Sequence, residues 1–307
     1  MLDIPIAFIV FNRPAQTRQS FAAIRKARPK VLCIISDGPR SSHPGEAALV
    51  EQSRQIAESC DWPCEIQRFY SDTNLGCGER ISSGLTAVFE QHEQAIVLED
   101  DCVPNQSFFR YCNELLQYYE HDERVMAISG DNFHDDPDET SASYFFSKYP
   151  HCWGWATWRR AWKHYEGTLA AWPEYRDRDG LASNCHSLRE RDYWTRTYDR
   201  VCAGEIDSWA IPWMLACWMN HGLTAVPARN LVSNIGFGDD ATHTTDSSPF
   251  ENLPTYELDT IVHPDRICRS VQNDVYIDRV FFSRGKLRFR HLVQFAQHCV
   301  NTSRRAA

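Results

Sequence analysis

Short apolar runs recur along the first half of this chain, each followed by a longer stretch with helical spacing. Residues 4–11 form an apolar run with β-branched members and read as a first strand. Asn12-Arg13-Pro14 ends it; Pro14 disfavours a helical Arg13 and suits the first turn of a helix running to Arg25, with Phe21 and Ile24 facing inward. Residues 31–36 read as a second strand that stops at Asp37-Gly38-Pro39-Arg40, and a helix follows over about 46–59. Residues 65–70 alternate weakly, as a more exposed third strand does. The run from Asp72 through Gly76 and Gly78 to Arg80 opens a helix to about Gln91. Residues 95–98 are apolar without interruption and lead directly into Glu99-Asp100-Asp101. A helix over about 107–119 and a fifth strand at 125–129, ending in Gly130-Asp131-Asn132, complete the half. Strand and helix alternate four times, which predicts a doubly wound parallel sheet.

The second half is aromatic and less regular. Residues 144–147 read as a short strand, followed by His151-Cys152-Trp153-Gly154-Trp155-Ala156-Thr157-Trp158, with Trp162 beyond. Trp158 and Trp162 stand four apart, the spacing of one helix face packed into a core. Residues 205–213 lead into a helix to about Asn220, and 223–226 and 231–233 read as short strands. A run from Asn234 to Thr244 mixes glycines, acids and His243, as a flexible loop does. From about residue 246 the chain is Ser- and Pro-rich. Residues 284–305 then place six Arg and Lys side chains around Leu287, Phe289, Leu292, Val293 and Phe295.

Composition narrows the class. A chain of 307 residues with 43% hydrophobic and 24% charged content is ordinary for a globular protein. The net charge of −9 argues against a nucleic-acid surface. Twelve cysteines are scattered singly, with no CxxC pair, and read as reduced thiols of a cytoplasmic protein rather than a disulfide framework. No stretch of about 18 apolar residues is present to span a membrane, and the N-terminus lacks a signal-peptide pattern.

The chemistry concentrates at Glu99-Asp100-Asp101. Three adjacent negative charges are costly without a cation among them, and carboxylate oxygens are the preferred ligands of a hard divalent metal. Strand alternation puts Glu99 and Asp101 on one side and Asp100 on the other, so one acid can take metal while its neighbours hold hydroxyls. A solvated acidic turn is the plain alternative; the buried-strand pattern ahead of the triplet favours the site. Asn12 and Arg13 stand at one strand mouth and Asp37 at another, where an Arg pairs with phosphate or a base. Gly76 and Gly78 permit close approach of a ligand to a helix start, although neither the Walker nor the GxGxxG spacing is present.

Glu99-Asp100-Asp101, with Val103-Pro104 and Ser107-Phe108-Phe109 after it, resembles the acidic strand end of GT-A glycosyltransferases, most closely the N-acetylglucosaminyltransferase I-like group and bacterial nucleotide-sugar transferases related to it. The resemblance runs from Ile4 to about His243. It implies a Rossmann-like, mostly parallel α/β sheet flanked by helices. The GT-A domain would occupy 1–245, with a nucleotide-binding half to about 130, an acceptor half after it and an extension over 246–307. It implies that Asp101 holds Mn²⁺ or Mg²⁺ bridging a nucleotide diphosphate, that Glu99 holds the ribose and Asp100 the sugar hydroxyls, and that Asn12, Arg13 and Asp37 form a nucleoside pocket. Trp153-Gly154-Trp155 is similar to the glycine–tryptophan segment that shapes the floor of the donor and acceptor site. Asp207 matches the family's catalytic base, with Glu205 behind it, though Ser208 intervenes before Trp209 where the family's acid abuts a Trp. Asp240 is the alternative base, and His243 a contact to diphosphate or metal.

The implied reaction is inverting, metal-dependent transfer from a nucleotide-sugar donor, UDP-linked by preference, to a hydroxyl of a saccharide or lipid-linked saccharide. Synthesis of surface polysaccharide or glycoconjugate is the implied setting. The basic 284–305 segment reads either as a packing helix or as a peripheral contact with an anionic membrane face. Two other classes stay open. A sugar nucleotidyltransferase needs a Gly-rich, basic N-terminal phosphate loop, which Phe11-Asn12-Arg13-Pro14 does not supply. A nucleotide-binding protein without catalysis is consistent with the altered spacing at Asp207.

Overall fold

The computed structural model describes residues 1–134, 142–237 and 249–282. The first half alternates β1 (Ile6–Val10), α1 (Pro14–Ala27), β2 (Val31–Ser36), α2 (Glu46–Glu58), β3 (Glu65–Tyr70), α3 (Cys77–Gln91) and β4 (Gln94–Glu99). A short β5 (Cys102–Pro104), α4 (Gln106–Tyr118) and β6 (Val125–Ser129) follow. The second half contributes β7 (Tyr144–Ser147), β8 (Trp155–Trp158), α5 (Arg159–Trp162), α6 (Trp172–Asp177), α7 (Leu188–Cys202), α8 (Ala210–Met219), β9 (Leu223–Pro227), β10 (Val232–Asn234) and α9 (Val271–Ile277).

The central sheet has eight strands in the order β3-β2-β1-β4-β8-β6-β9-β7. β3, β2, β1 and β4 run parallel, and β6 and β9 share their direction. β8 lies antiparallel between β4 and β6, and β7 closes the far edge antiparallel to β9. The expected parallel α/β sheet is therefore present, with one strand from the Trp-rich segment wedged into its middle. That insertion corrects the helical reading of Trp158 and Trp162. Trp158 ends β8 and donates its indole N–H to the Leu116 carbonyl at 3.0 Å on one face, while Trp162 packs on the other face beside Trp213.

Strand alternation sorts the core into two layers. Ala7, Ile9, Cys33, Ile35, Ala95 and Val97 face α3, α7 and α8 through Leu85, Val88, Trp194 and Trp218. Ile6, Phe8, Leu32, Ile34, Ile96 and Leu98 face α1 and α4 through Phe21, Ile24, Phe108 and Leu115. Strands covered on both faces are apolar throughout, which is why the runs were visible in the sequence. Each fully buried Val, Leu, Ile or Phe among them contributes roughly 1.5–3 kcal/mol by leaving water.

A buried polar network holds the far half. Lys148 and Glu190 pair with side-chain exposures of 2% and 0%. Lys148 Nζ also donates to the Asn184 carbonyl at 2.8 Å, and the Tyr149 hydroxyl donates to Glu190 Oε1 at 2.6 Å. Beyond residue 248 the chain adds to the same core. Ser270 N donates to the Phe146 carbonyl at 2.7 Å, Asp274 accepts from Ser147 Oγ at 2.6 Å, and Phe282 packs against Tyr149 and Trp194. The basic 284–305 segment lies outside the described residues. No helix among the described residues is long and apolar enough to cross a membrane, and every described cysteine is free.

Removing one partner of a buried pair strands the other charge in low dielectric. Glu190→Ala should therefore cost about 3–5 kcal/mol in urea unfolding, against near-zero for an exposed acid such as Glu174. A loss below about 1 kcal/mol would show that Lys148 is solvated without it.

Candidate functional site at the carboxyl edge of the sheet

Because β1, β2, β4 and β6 share one direction, their carboxyl ends open on one edge. That edge carries Asn12 and Arg13, Asp37, Glu99-Asp100-Asp101 and Asp131. A sheet of this kind presents its ligand crevice there.

Arg13 organises it. Its Nη2 bonds Asp100 Oδ1 and also lies 3.0 Å from Asp101 Oδ2. Burial alone would lower the Arg13 pKa, but Asp100 and Asp101 outweigh it and hold the guanidinium firmly charged. Asp100 is 3% exposed, takes the Phe11 N–H at 3.4 Å, and offers its backbone carbonyl to Ser20 Oγ at 2.8 Å. The expected alternation therefore fails for a simple reason. β4 ends at Glu99, and Asp100 and Asp101 lie in the turn after it, where one guanidinium reaches both. Asp100 is a buried clamp between β4, β1 and α1 and is not presented to sugar hydroxyls. Arg13 is already engaged by acids rather than free for phosphate. Glu99 has no side-chain hydrogen bond among the described residues, and burial, then Asp101 and Asp100, raise its pKa.

The other two strand mouths are braced. Asn12 donates to Glu46 Oε1 at 2.8 Å, and Glu46 holds the Arg40 backbone N–H at 2.6 Å. Asp37 accepts from the backbone N–H groups of Gly38, Leu75 and Gly76 and from Asn74 Nδ2, at 2.9–3.1 Å. It thereby ties the end of β2 to the loop that starts α3. Asn12 and Asp37, two of the three residues expected in a nucleoside pocket, thus fix loops at the strand ends. Arg80, on α3, has a buried Nε without a hydrogen-bond partner among the described residues and feels the Asp37 charge.

Gly76 and Gly78 do admit an anion to the start of α3, and the anion is Asp207. Its Oδ1 accepts the Gly78 N–H at 2.9 Å; a methyl at Gly78 would overlap that oxygen, and one at Gly76 would lie 3.0 Å from Oδ2. Gly76 also has φ 87°, a left-handed value that other residues resist. Asp207 therefore caps a helix distant in sequence, while its own helix α8 is served at its start by Ser208 Oγ, which accepts from Ile211 N at 3.4 Å. Glu205 is exposed and pairs with Arg200 at 3.0 Å.

A two-stranded ribbon of β5 and β10 brings the next loop over the acids. Ile235 N donates to the Asp101 carbonyl at 2.8 Å, and Gly236 packs so closely on the Asp101 carboxylate that a methyl there would overlap it. Phe237 meets Trp153 edge-on at 5.7 Å, and Trp153, half-buried, also packs against Phe133 and Phe281. Trp155 is 1% exposed and stacks on Trp209 at 5.4 Å. It is a core residue, a correction to its expected place on the site floor, because β8 turns it into the layer beneath. Asp240 and His243 lie outside the described residues.

Asp131 is not among the residues the sequence singles out, although it follows the buried strand β6 by two residues, much as Asp101 follows β4. It is 1% exposed, with Oδ1 bonded to Ser129 Oγ and Oδ2 without a hydrogen-bond partner among the described residues. Burial pushes its pKa up to about 7, against the pull of the Ser129 bond. Nearby, burial depresses His151 to about 3, so its imidazole is neutral.

Among the described residues no three His, Cys, Asp or Glu side chains converge as a ready-made metal cage. A magnesium-like ion needs only one or two carboxylates, with substrate phosphates and water completing its shell. Asp101 and Glu99 meet that requirement. Asp100 and Asp101 share the one guanidinium, while burial and these two acids push the Glu99 carboxyl up to about 8, so a cation held there would displace its proton.

No family model matches the sequence, and no curated protein matches it. Solved structures align with it distantly. S. aureus TarS 1–349 is 9% identical with a TM-score of 0.40, over 75% of this chain and 59% of that one. The mannosyltransferase PcManGT from Pyrobaculum calidifontis, in complex with GDP-Man and Mn²⁺, is 13% identical with a TM-score of 0.34, over 51% of this chain and 46% of that one. A UDP-glucose pyrophosphorylase complexed with UDP-glucose is 10% identical with a TM-score of 0.31, over 53% of this chain and 79% of that one. This chain thus spans less than two thirds of the first two. Likeness at this level leaves the functional reading to the geometry of the site.

Asp131 gives the site a pH signature. A carboxyl whose folded pKa is raised to about 7 from 3.8 favours the folded state while both states are protonated. That contribution is lost as pH rises through about 4 to about 7. Asp131→Asn should flatten this part of the stability–pH curve and be more stable than wild type at pH 8. Parallel curves for the two proteins would place an ordinary, solvated acid at residue 131.

Proposed function

We propose that this chain transfers a sugar from a nucleotide-sugar donor, UDP-linked by preference, to a hydroxyl of a saccharide or lipid-linked saccharide, in glycoconjugate or surface-polysaccharide synthesis. The observation that carries the reading is the acidic end of β4. There Asp101 and Glu99 stand at the mouth of a strand buried on both faces, beside the paired Arg13, under the Gly236 loop.

In this reading Asp101 would hold Mn²⁺ or Mg²⁺, with Glu99 beside it as a second oxygen ligand in place of its expected ribose contact. When bound, such an ion stabilises as a Lewis acid the negative charge that develops on the departing diphosphate. Asn12, Asp37 and Arg80 line the nucleoside side, where the loop bonds of Asp37 and Glu46 keep the crevice in shape before the donor arrives. Half-buried Trp153 offers a ring face to a sugar, whose apolar face stacks on aromatic surface. Asp207 is the proposed base. The Gly78 N–H fixes its Oδ1, so that Oδ2 is the oxygen to take the acceptor's proton in a single inverting displacement.

Incubation with a panel of nucleotide sugars and saccharide acceptors tests the reading by the product released. Nucleoside diphosphate release that Asp101→Ala abolishes is expected. Asp207→Asn, which keeps an oxygen for the Gly78 N–H, should retain nucleotide affinity and lose about 10²-fold or more in turnover. Pyrophosphate release would assign a nucleotidyltransferase instead, and release of neither would assign a binding protein. Full turnover by Asp207→Asn would move the base elsewhere, first to Asp240.

A further inference from the structure

We infer that Arg13 and the divalent cation compete for the Asp101 carboxylate, so that the donor-free protein holds the cation weakly and the nucleotide diphosphate opens the site by drawing Arg13 away. This rests on the proposed metal ligation by Asp101 and adds a second role for Arg13.

Three observations carry it. Arg13 Nη2 is shared between two carboxylates and lies 3.0 Å from Asp101 Oδ2. The pair is shielded, with side-chain exposures of 15% and 14%, so water screens it little. Asp101 also cannot swing aside to serve both cations, and its other oxygen, Oδ1, already faces the Cys102 thiol at 3.6 Å. Its own carbonyl is held by Ile235 N at 2.8 Å, and Gly236 packs on its carboxylate. An ion seated on Oδ2 would therefore meet a guanidinium on the same oxygen.

The competition is not symmetric across the triplet. Asp100 is buried and tied to Phe11 N, so Arg13 keeps one partner whatever happens at Asp101. Letting go of Asp101 costs one charge-assisted bond and leaves no buried cation stranded. A diphosphate arriving at the mouth of β1 presents the acceptor geometry a guanidinium prefers. Its arrival supplies a new partner for the freed half of Arg13 and oxygens for the metal together. Nucleotide and metal should then bind with positive coupling, much of it routed through Arg13.

The test is Mn²⁺ titration followed by the electron paramagnetic resonance signal of free Mn²⁺, without substrate turnover, with and without UDP. Wild type should bind Mn²⁺ weakly alone and much more tightly with UDP. Arg13→Gln should bind Mn²⁺ alone roughly tenfold or more tighter than wild type, because a charge-assisted bond is lost from the competing state. The gain from UDP should shrink accordingly. Arg13→Lys keeps the charge with a shorter reach and one donor group; under direct competition it too binds Mn²⁺ tighter than wild type. Far-UV circular dichroism confirms that each variant is folded, and the wild-type coupling is read independently of either. Wild-type and variant affinities that coincide, with Mn²⁺ binding at Asp101 in both, would overturn the competition while leaving the metal reading standing. Mn²⁺ that binds in no state, while UDP still binds, would overturn the metal ligation itself.

Discussion

One guanidinium holds the working edge of this sheet together. Arg13 leaves the end of β1 and binds the turn after β4, and these neighbouring strands are thereby closed at the point where a crevice would otherwise splay. The bond answers a cost written into the chain. Three consecutive acids after a buried strand repel one another and lose hydration, and a positive charge must come from somewhere. The fold answers in two ways: Arg13 pairs with Asp100 and Asp101, and burial beside them holds the Glu99 carboxyl toward its neutral form.

The acids along this edge differ less in type than in what each has left to give. Asp37 is filled by three backbone N–H groups and one side-chain amide. Asp100 is filled by Arg13 and the Phe11 N–H. Asp207 gives one oxygen to the start of α3. Asp101 shares one oxygen with Arg13, its other lies 3.6 Å from the Cys102 thiol, and Glu99 is unpaired among the described residues. Those with spare oxygens are the ones that can meet a ligand: Asp101 and Glu99 keep theirs at the end of β4, and Asp207 keeps its Oδ2 beside the start of α3. Rigid braces on either side keep them there, since Asp37 and Glu46 fix their loops and the β5–β10 ribbon fixes the loop over Asp101.

The buried strands and their helices were legible because a strand covered on both faces has no polar position to hide it. β8 was not, because Trp155-Ala156-Thr157-Trp158 reads equally as the start of a helix, and only its pairing with both β4 and β6 decides the matter. α7 was missed because its buried Trp194 and Tyr198 are outnumbered by charges. The one local signal was Ser187, whose hydroxyl accepts the Glu190 N–H at 3.1 Å in the spacing of a capping box. The acid triplet stood out, but its partner did not. Arg13 and Asp100 are 87 residues apart, and nothing local announces which of many Arg side chains will be the cation. The same distance hid the tie between Asp207 and Gly78, so the glycines read as room for a ligand when the chain itself fills that room. Asp131 was legible in principle, because an acid just past an apolar strand marks the same sheet edge that Asp101 does.

The central claim is that the end of β4 binds a nucleotide together with a divalent ion. Thermal unfolding against a panel of nucleotides and nucleotide sugars, with Mn²⁺ or with EDTA, tests it most directly, because a ligand that binds only the folded state raises its stability by mass action. The expected result is an upward shift with UDP or a UDP-sugar that disappears with EDTA and in Asp101→Ala. The absence of a shift with any nucleotide, in the presence of Mn²⁺, would contradict it.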